Sequence, residues 1–165
     1  MEVKYNYSDG HIYEGLVDVD TGIYNGYGKL TYPNGDTYEG DFLLGKCHGK
    51  GVYIYKNINC RFFPFLKKYE GDFTNNHFNG YATITLYDGF EIKCKFINND
   101  FVLDDTFSIG TFEQGNYKLI NNGVTYKILY SDTVIFEGSI IDSKKNIKIM
   151  HINPATLLDF TKIKL

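Results

Sequence analysis

Cys47 and His48 stand side by side in GKCHGKG, residues 45–51, and these are the residue types that a thiolate nucleophile and its general base would use. Such chemistry also needs an oriented base and an oxyanion site, and nothing around the pair supplies either, so catalysis is not expected. The four histidines, His11, His48, His77 and His151, lack the close spacing of a zinc site. Asn98, Asn99, Asp100, Asp104 and Asp105 gather oxygen ligands without the bend glycine and closing glutamate of a calcium loop, and read as a solvated linker. Glu14, Glu39, Glu70 and Glu137 recur at one position of a repeated motif, which separates them by whole hairpins, roughly 10 Å in a sheet. That spacing makes a charged surface and not an acid–base pair. The glycines lie in strands and turns, not between a strand and a helix, so no phosphate-cradling loop is expected. The expectation is a protein without catalytic residues, metal or cofactor.

One cluster remains that could grip something. KNINCRFFPFLKK, residues 56–68, carries Lys56, Arg61, Lys67 and Lys68 with no acid, and sets Phe62, Phe63 and Phe65 around Pro64. The chain as a whole has a formal net charge of −3, so this basic and aromatic stretch stands out. Long loops in compact repeats tend to carry binding. The phenylalanines can instead fold back and fill a groove locally, leaving the lysines to solvate the loop, and both readings stay open.

The elements that must position this loop follow from composition and repetition. Aromatics make up 17% of the 165 residues, with 15 Tyr, 13 Phe and no Trp, beside 17 Gly and only 3 Pro, which favours strands and tight turns. The negative net charge argues against nucleic acid as a partner. Cys47, Cys60 and Cys94 are odd in number and lack CxxC spacing, so a reducing compartment is expected. No apolar leader opens the chain and no run approaches the roughly 20 apolar residues of a membrane span, so the expected location is cytoplasmic.

The pentapeptide YEGDF occurs at residues 38–42 and 69–73, with near-copies YEGLV at 13–17 and FEGSI at 136–140. The copies at 13–17 and 38–42 belong to a longer unit in which a strand-like run meets Asp-Gly or Asn-Gly and then a second run, as in YPNGDTYEGDF, residues 32–42; LYDGFEIKCKF (86–96) and INNGVTYKILY (120–130) repeat that unit, and YSDTVIFEGSI (130–140) weakens the turn to Asp-Thr. Asn-Gly and Asp-Gly are strong hairpin signals, predicting type I′ turns. Period-two alternation puts Tyr38, Gly40 and Phe42 on one face and Glu39 and Asp41 on the other. A mid-strand glycine leaves room for a neighbouring ring to lie across bare backbone. The expected groove is lined by Tyr13, Tyr27, Tyr38, Phe42, Tyr53, Tyr69 and Phe73. The runs NGYG (25–28), GKCHGKG (45–51) and HFNGY (77–81) read as turns joining successive hairpins. Tyr38 to Tyr69 is the one long step, because residues 56–68 extend a hairpin tip.

With tyrosine, paired glycines and Asp-Gly or Asn-Gly turn recurring together, residues 5–96 resemble the MORN repeat family. The resemblance implies an all-β fold: an elongated, twisted antiparallel β-meander of MORN-type hairpin repeats in a single sheet. Residues 1–100 would hold the good repeats. Residues 101–152 would hold worn ones, with strands at 107–112, 116–120, 124–130, 134–141 and 147–152. In residues 153–165, NPATLLDF reads as a short helix, Asn153 at its N-cap and Pro154 at N1, capping the open end of the sheet.

The family resemblance implies a non-catalytic interaction or scaffolding module, binding a partner protein through the groove, the loop, or both. A phosphoinositide-bearing membrane surface is the alternative partner, and a homodimer could cover the aromatic face. Frequent Asn, Lys and Ile suit an AT-rich genome, and a small array from a virus or parasite would act as an inhibitor of a host protein.

Overall fold

Alternation of ring and charge along short runs makes strands, and in the computed structural model every element among the described residues is a strand. These residues are 1–56, 66–87, 89, 91–102, 110–114, 117–121, 125–130 and 133–139. The chain divides into two units, Met1–Asn99 and Asp100–Leu165.

The first unit contains β1 (Glu2–Asn6), β2 (Ile12–Val17), β3 (Tyr24–Thr31), β4 (Thr37–Leu43), β5 (Lys46–Ile54), β6 (Leu66–Thr74), β7 (His77–Leu86) and β8 (Glu91–Ile97). Neighbours in sequence are neighbours in the sheet, and every pair is antiparallel. The single-sheet meander is therefore what this unit is. The second unit contains β9 (Asp100–Val102), β10 (Gly110–Gln114), β11 (Tyr117–Asn121), β12 (Thr125–Tyr130) and β13 (Thr133–Ser139). β10 to β13 form a four-stranded antiparallel meander. The strand expected at 147–152 and the helix expected within 153–165 lie outside the described residues.

The turns differ from the expectation in an informative way. At Asp9-Gly10 and Asn34-Gly35 only the glycines take positive φ, at 92° and 86°. Gly10 N–H donates to Tyr7 C=O at 3.0 Å and Gly35 N–H to Tyr32 C=O at 2.8 Å, so these are four-residue turns ending in glycine and not type I′ turns. Pro33, at the second position, fits because its ring fixes the φ that position needs. Paired positive φ values occur instead at Leu44-Gly45, Asn75-Asn76 and Asn98-Asn99, where one hairpin passes to the next. The runs expected to be linking turns, around residues 25–28, 45–51 and 77–81, lie largely within β3, β5 and β7.

Those runs contain bulges. The pairing register shifts between Gly15 and Val17, between Gly40 and Phe42, and between Gly71 and Asp72, opposite Gly26, Gly49 and Gly80 respectively. The latter three take φ of 97°, 62° and 72°, as a bulge glycine does. Each GxG motif thus has two distinct glycines. The first supplies a backbone angle, and the second, Gly28 or Gly51, supplies space.

That space is filled by tyrosine. A Cβ on Gly28 would lie 2.5 Å from the Tyr13 hydroxyl, and one on Gly51 would lie 2.5 Å from Cε2 of Tyr38. Tyr13 and Tyr38, lying over glycine, and Tyr69, in the repeat where Ala82 replaces it, each reach a backbone carbonyl three residues on: Tyr13 OH donates to Leu16 C=O (2.6 Å), Tyr38 to Asp41 (2.7 Å) and Tyr69 to Asp72 (2.7 Å). The rings then cover one another. Tyr13 stacks on Tyr24 at 3.6 Å and Tyr69 on Phe78 at 3.9 Å, while Phe42, Phe73 and Phe96 meet the tyrosines edge-on at 4.8–5.3 Å. Tyr13, Tyr38, Tyr69 and Phe96 have no exposed surface, so one face of the sheet is itself the core.

The other face is polar. Lys4–Glu14 (2.9 Å), Lys29–Glu39 (3.6 Å), Lys50–Asp72 (2.6 Å) and Lys68–Glu70 (2.9 Å) pair across it or along it. Exposed pairs of this kind contribute about 0–1 kcal/mol each. Their main effect is to keep that face wet.

Candidate functional site

The basic, aromatic loop leaves the sheet after Tyr55 and Lys56 and returns at Leu66, which is fully buried. Residues 57–65, with Arg61, Phe62, Phe63 and Phe65, lie outside the described residues. The loop's base is described in detail. Asp36, at the foot of the preceding hairpin, is a buried carboxylate with 6% of its surface exposed. Its Oδ1 accepts from the Lys56 backbone N–H at 2.8 Å, and its Oδ2 from Tyr53 OH at 3.1 Å and Asn34 Nδ2 at 2.8 Å. Its own N–H donates to Asn34 Oδ1 at 3.0 Å.

Three donors on one buried carboxylate make a rigid clamp, because an ion out of water must be hydrogen-bonded to be tolerated there. The returning limb is fixed as well. Tyr55 N–H donates to Lys67 C=O at 2.9 Å, and Tyr87 OH donates to Tyr55 C=O at 2.9 Å. Lys56 and Lys67 are exposed, whereas Lys68 is half-buried with its ammonium on Glu70.

The expected groove residues have a different fate. Tyr13, Tyr38, Phe42, Tyr69 and Phe73 share one face, as expected, but are 0–3% exposed and form the core. Tyr53 is half-buried on the same face, paired with Tyr38 and Tyr69 and bonded to Asp36. Tyr27 is a correction. It lies between Gly26 and Gly28 on the polar face, 56% exposed, with its hydroxyl 3.0 Å from Glu39 Oε1. Two rings of the aromatic face, Tyr24 and Phe78, were missed. They stand two residues before the bulge glycine in YNGYG and FNGYA, a position that Cys47 occupies in CHGKG. That recurring pattern was the available signal.

Burial raises the hydroxyl of Tyr13 to about 12 and also raises those of Tyr24, Tyr32, Tyr38, Tyr53 and Tyr69. For Tyr53 the negative charge of Asp36 adds to the effect. Cys47 is 5% exposed, and burial pushes its thiol up to about 11 despite a hydrogen bond with Tyr32. His48 is its chain neighbour, and adjacent strand residues point to opposite faces, so the imidazole is not placed to act on the thiol. Glu14, Glu39 and Glu70 sit on the polar face against lysines. Among the described residues, no group of three or more His, Cys, Asp or Glu is arranged to hold a metal ion. No helix among them is long and apolar enough to cross a membrane.

Fold and side chains define a class: a repeat array of β-hairpins whose aromatic residues build the core. Residues 22–37, 38–57 and 69–90 each match the MORN repeat model, and the chain is a MORN-repeat protein. Over 131 residues, 79% of its length, it is also 26% identical to a protein of Plasmodium berghei (strain Anka) described as "Inactive protein tyrosine kinase pTKL". The matched stretch spans 8% of that protein.

Proposed function

We propose that this chain is a non-catalytic protein-interaction module that presents the loop of residues 56–68 to a partner protein. The observation that carries this reading is the clamp at the loop's base, where buried Asp36 holds Lys56 N–H and Tyr53 OH. A loop whose take-off is fixed by a buried carboxylate loses less conformational freedom when it binds, and that lowers the cost of recognition. Lys56, Arg61, Phe62, Phe63, Phe65 and Lys67 are the proposed contacts, with Lys68 orienting through Glu70. Mutual burial of the rings on the aromatic face favours the loop over that face as the main contact surface.

MORN repeats are generally interaction modules for proteins or membranes, and the P. berghei relative is described as an inactive kinase. Both support a function without catalysis. The test is affinity capture from host extract with wild type beside a variant carrying Arg61, Phe62, Phe63 and Phe65 changed to Ser, each with matched far-UV spectra and oligomeric state. The expected result is a protein captured by wild type alone. Equal capture by both would refute the loop reading, and salt-sensitive binding to phosphoinositide vesicles without protein capture would assign the loop to a membrane surface.

A further inference from the structure

Away from the loop, the opposite rim of the first unit carries five exposed aliphatic side chains. Leu16 (41% exposed), Val19 (71%), Ile23 (43%), Leu43 (45%) and Leu44 (73%) lie in or beside the β2–β3 and β4–β5 connections. These two connections adjoin. Gly45 N–H donates to Tyr24 C=O at 2.9 Å, and a Cβ on Gly45 would lie 3.3 Å from Ile23 Cγ2.

The fold does not require apolar residues here. The corresponding β6–β7 connection uses Thr74, Asn75 and Asn76 where this one has Leu43, Leu44 and Gly45, and Asn98-Asn99 builds the turn again. Asn75 and Asn98 both sit at φ 50°, and Leu44 adopts φ 49° in the same role. Positive φ is tolerated by asparagine and strained for leucine. Leu44 therefore carries backbone strain without the burial that would offset it, and strain of this kind marks binding surfaces.

Taken together, the five side chains expose on the order of 500 Å² of apolar surface, in the range where patches on monomers serve binding. Two or three large side chains, each burying about 150–250 Å², cover an area of that size, which suits a short segment as the occupant. Charge sets a direction. Asp20 is exposed at the β2–β3 end, beside Asp18, whose carboxylate accepts from Thr21 Oγ1 at 2.8 Å, and exposed Lys46 stands at the β5 end.

We infer that this rim docks a short peptide segment of another protein. Two neighbouring aliphatic or aromatic side chains of the peptide cover Ile23, Leu43 and Leu44, a Lys or Arg lies beside Asp18 and Asp20, and an acidic residue lies toward Lys46. The inference rests on the interaction-module reading but uses a different surface, so the two fail separately: the loop variant leaves this rim intact.

A phage-displayed random peptide library selected on the whole chain provides the probe, and enriched peptides are then titrated by fluorescence anisotropy. Enriched sequences should pair apolar residues with a flanking Lys or Arg. Leu44→Asn should weaken their binding at least tenfold while leaving Tm unchanged or raised, and Asp20→Asn should weaken it several-fold at low salt. The proposal is overturned if no enriched peptide is sensitive to Leu44→Asn, or if that variant lowers Tm, since Leu44 would then belong to the fold. Leu44-dependent binding to anionic vesicles, exceeding binding to any peptide, would also overturn it, because the rim would then be a membrane contact.

Discussion

Replacing Gly51 by alanine tests the claim that the second glycine of each GxG motif exists to admit a tyrosine ring. Gly51 lies in β5 and is not among the glycines at positive φ, so alanine fits the backbone. By itself the change should stabilise the fold by about 0.4–1 kcal/mol, because it restricts the unfolded chain. The side chain opposes this. Its Cβ would sit 2.5 Å from Tyr38 Cε2 and 2.7 Å from both Cζ and the hydroxyl oxygen. Overpacking of this kind costs about 1–3 kcal/mol. Relief by lifting the ring lengthens the 2.7 Å bond to Asp41 C=O, worth about 1 kcal/mol, and disturbs the edge contacts with Phe42 and Phe73 at 5.0 and 4.8 Å. Steric cost wins, and the expected net loss is about 1–2 kcal/mol. The assay is urea unfolding followed by far-UV circular dichroism, with a lowered midpoint at constant slope. Gly89→Ala is the control, since Gly89 has φ 92° and nothing within 4 Å of a built Cβ, so its cost is backbone strain alone. A Gly51→Ala protein as stable as wild type would show that the ring does not need the bare backbone, and the space argument would fall.

Other outcomes follow from the same structure. Asp36→Ala removes the acceptor shared by Tyr53, Lys56 and Asn34, and should cost about 2–4 kcal/mol and speed proteolysis between residues 56 and 66; an unchanged cleavage rate would refute the clamp. Raised tyrosine hydroxyls make stability pH-dependent in a definite direction. Above pH of about 10 the unfolded chain releases phenolic protons that the folded chain keeps, so stability is full below that value and falls as pH rises through the folded-state values, about 12 for Tyr13. The urea midpoint measured from pH 8 to 11.5, with tyrosinate absorbance alongside, should drop above pH 10, and a flat profile would contradict the burial. Cys47, with its thiol pushed up to about 11, should resist iodoacetamide at pH 8 until the chain unfolds; peptide mapping showing labelling of native protein at the rate of a free thiol would count against its enclosure.

Much of this was legible from the residues. Strand order, the wet face and the glycine–tyrosine relation follow from period-two alternation and from the recurrence of YEGDF. What alternation did not settle was side-chain partnership. Tyr27 was grouped with the groove, yet it lies between Gly26 and Gly28 on the polar face, 56% exposed. Asn-Gly was read as a complete type I′ turn, but the chain uses its glycine at the end of a longer turn and leaves paired positive φ to Leu44-Gly45 and the two Asn-Asn steps. Asp36 gave no signal in a linear reading. Its donors come from a side chain two residues before it, from Tyr53 and from Lys56, and only the folded register brings them together.

The turn bonds reach back only as far as the preceding repeat: Gly45 to Tyr24, Asn76 to Cys47, Asn99 to Phe78. The eight extra residues between Tyr55 and Tyr69 leave the pairing of β5 with β6 intact, and Tyr53 still faces Tyr69 across the two strands. Each repeat is therefore tied chiefly to the one before it. An insertion within one hairpin, such as the stretch between Tyr55 and Tyr69, leaves the file of rings on either side in register. In such an architecture a change in one hairpin is felt by its immediate neighbours before anything further along the array.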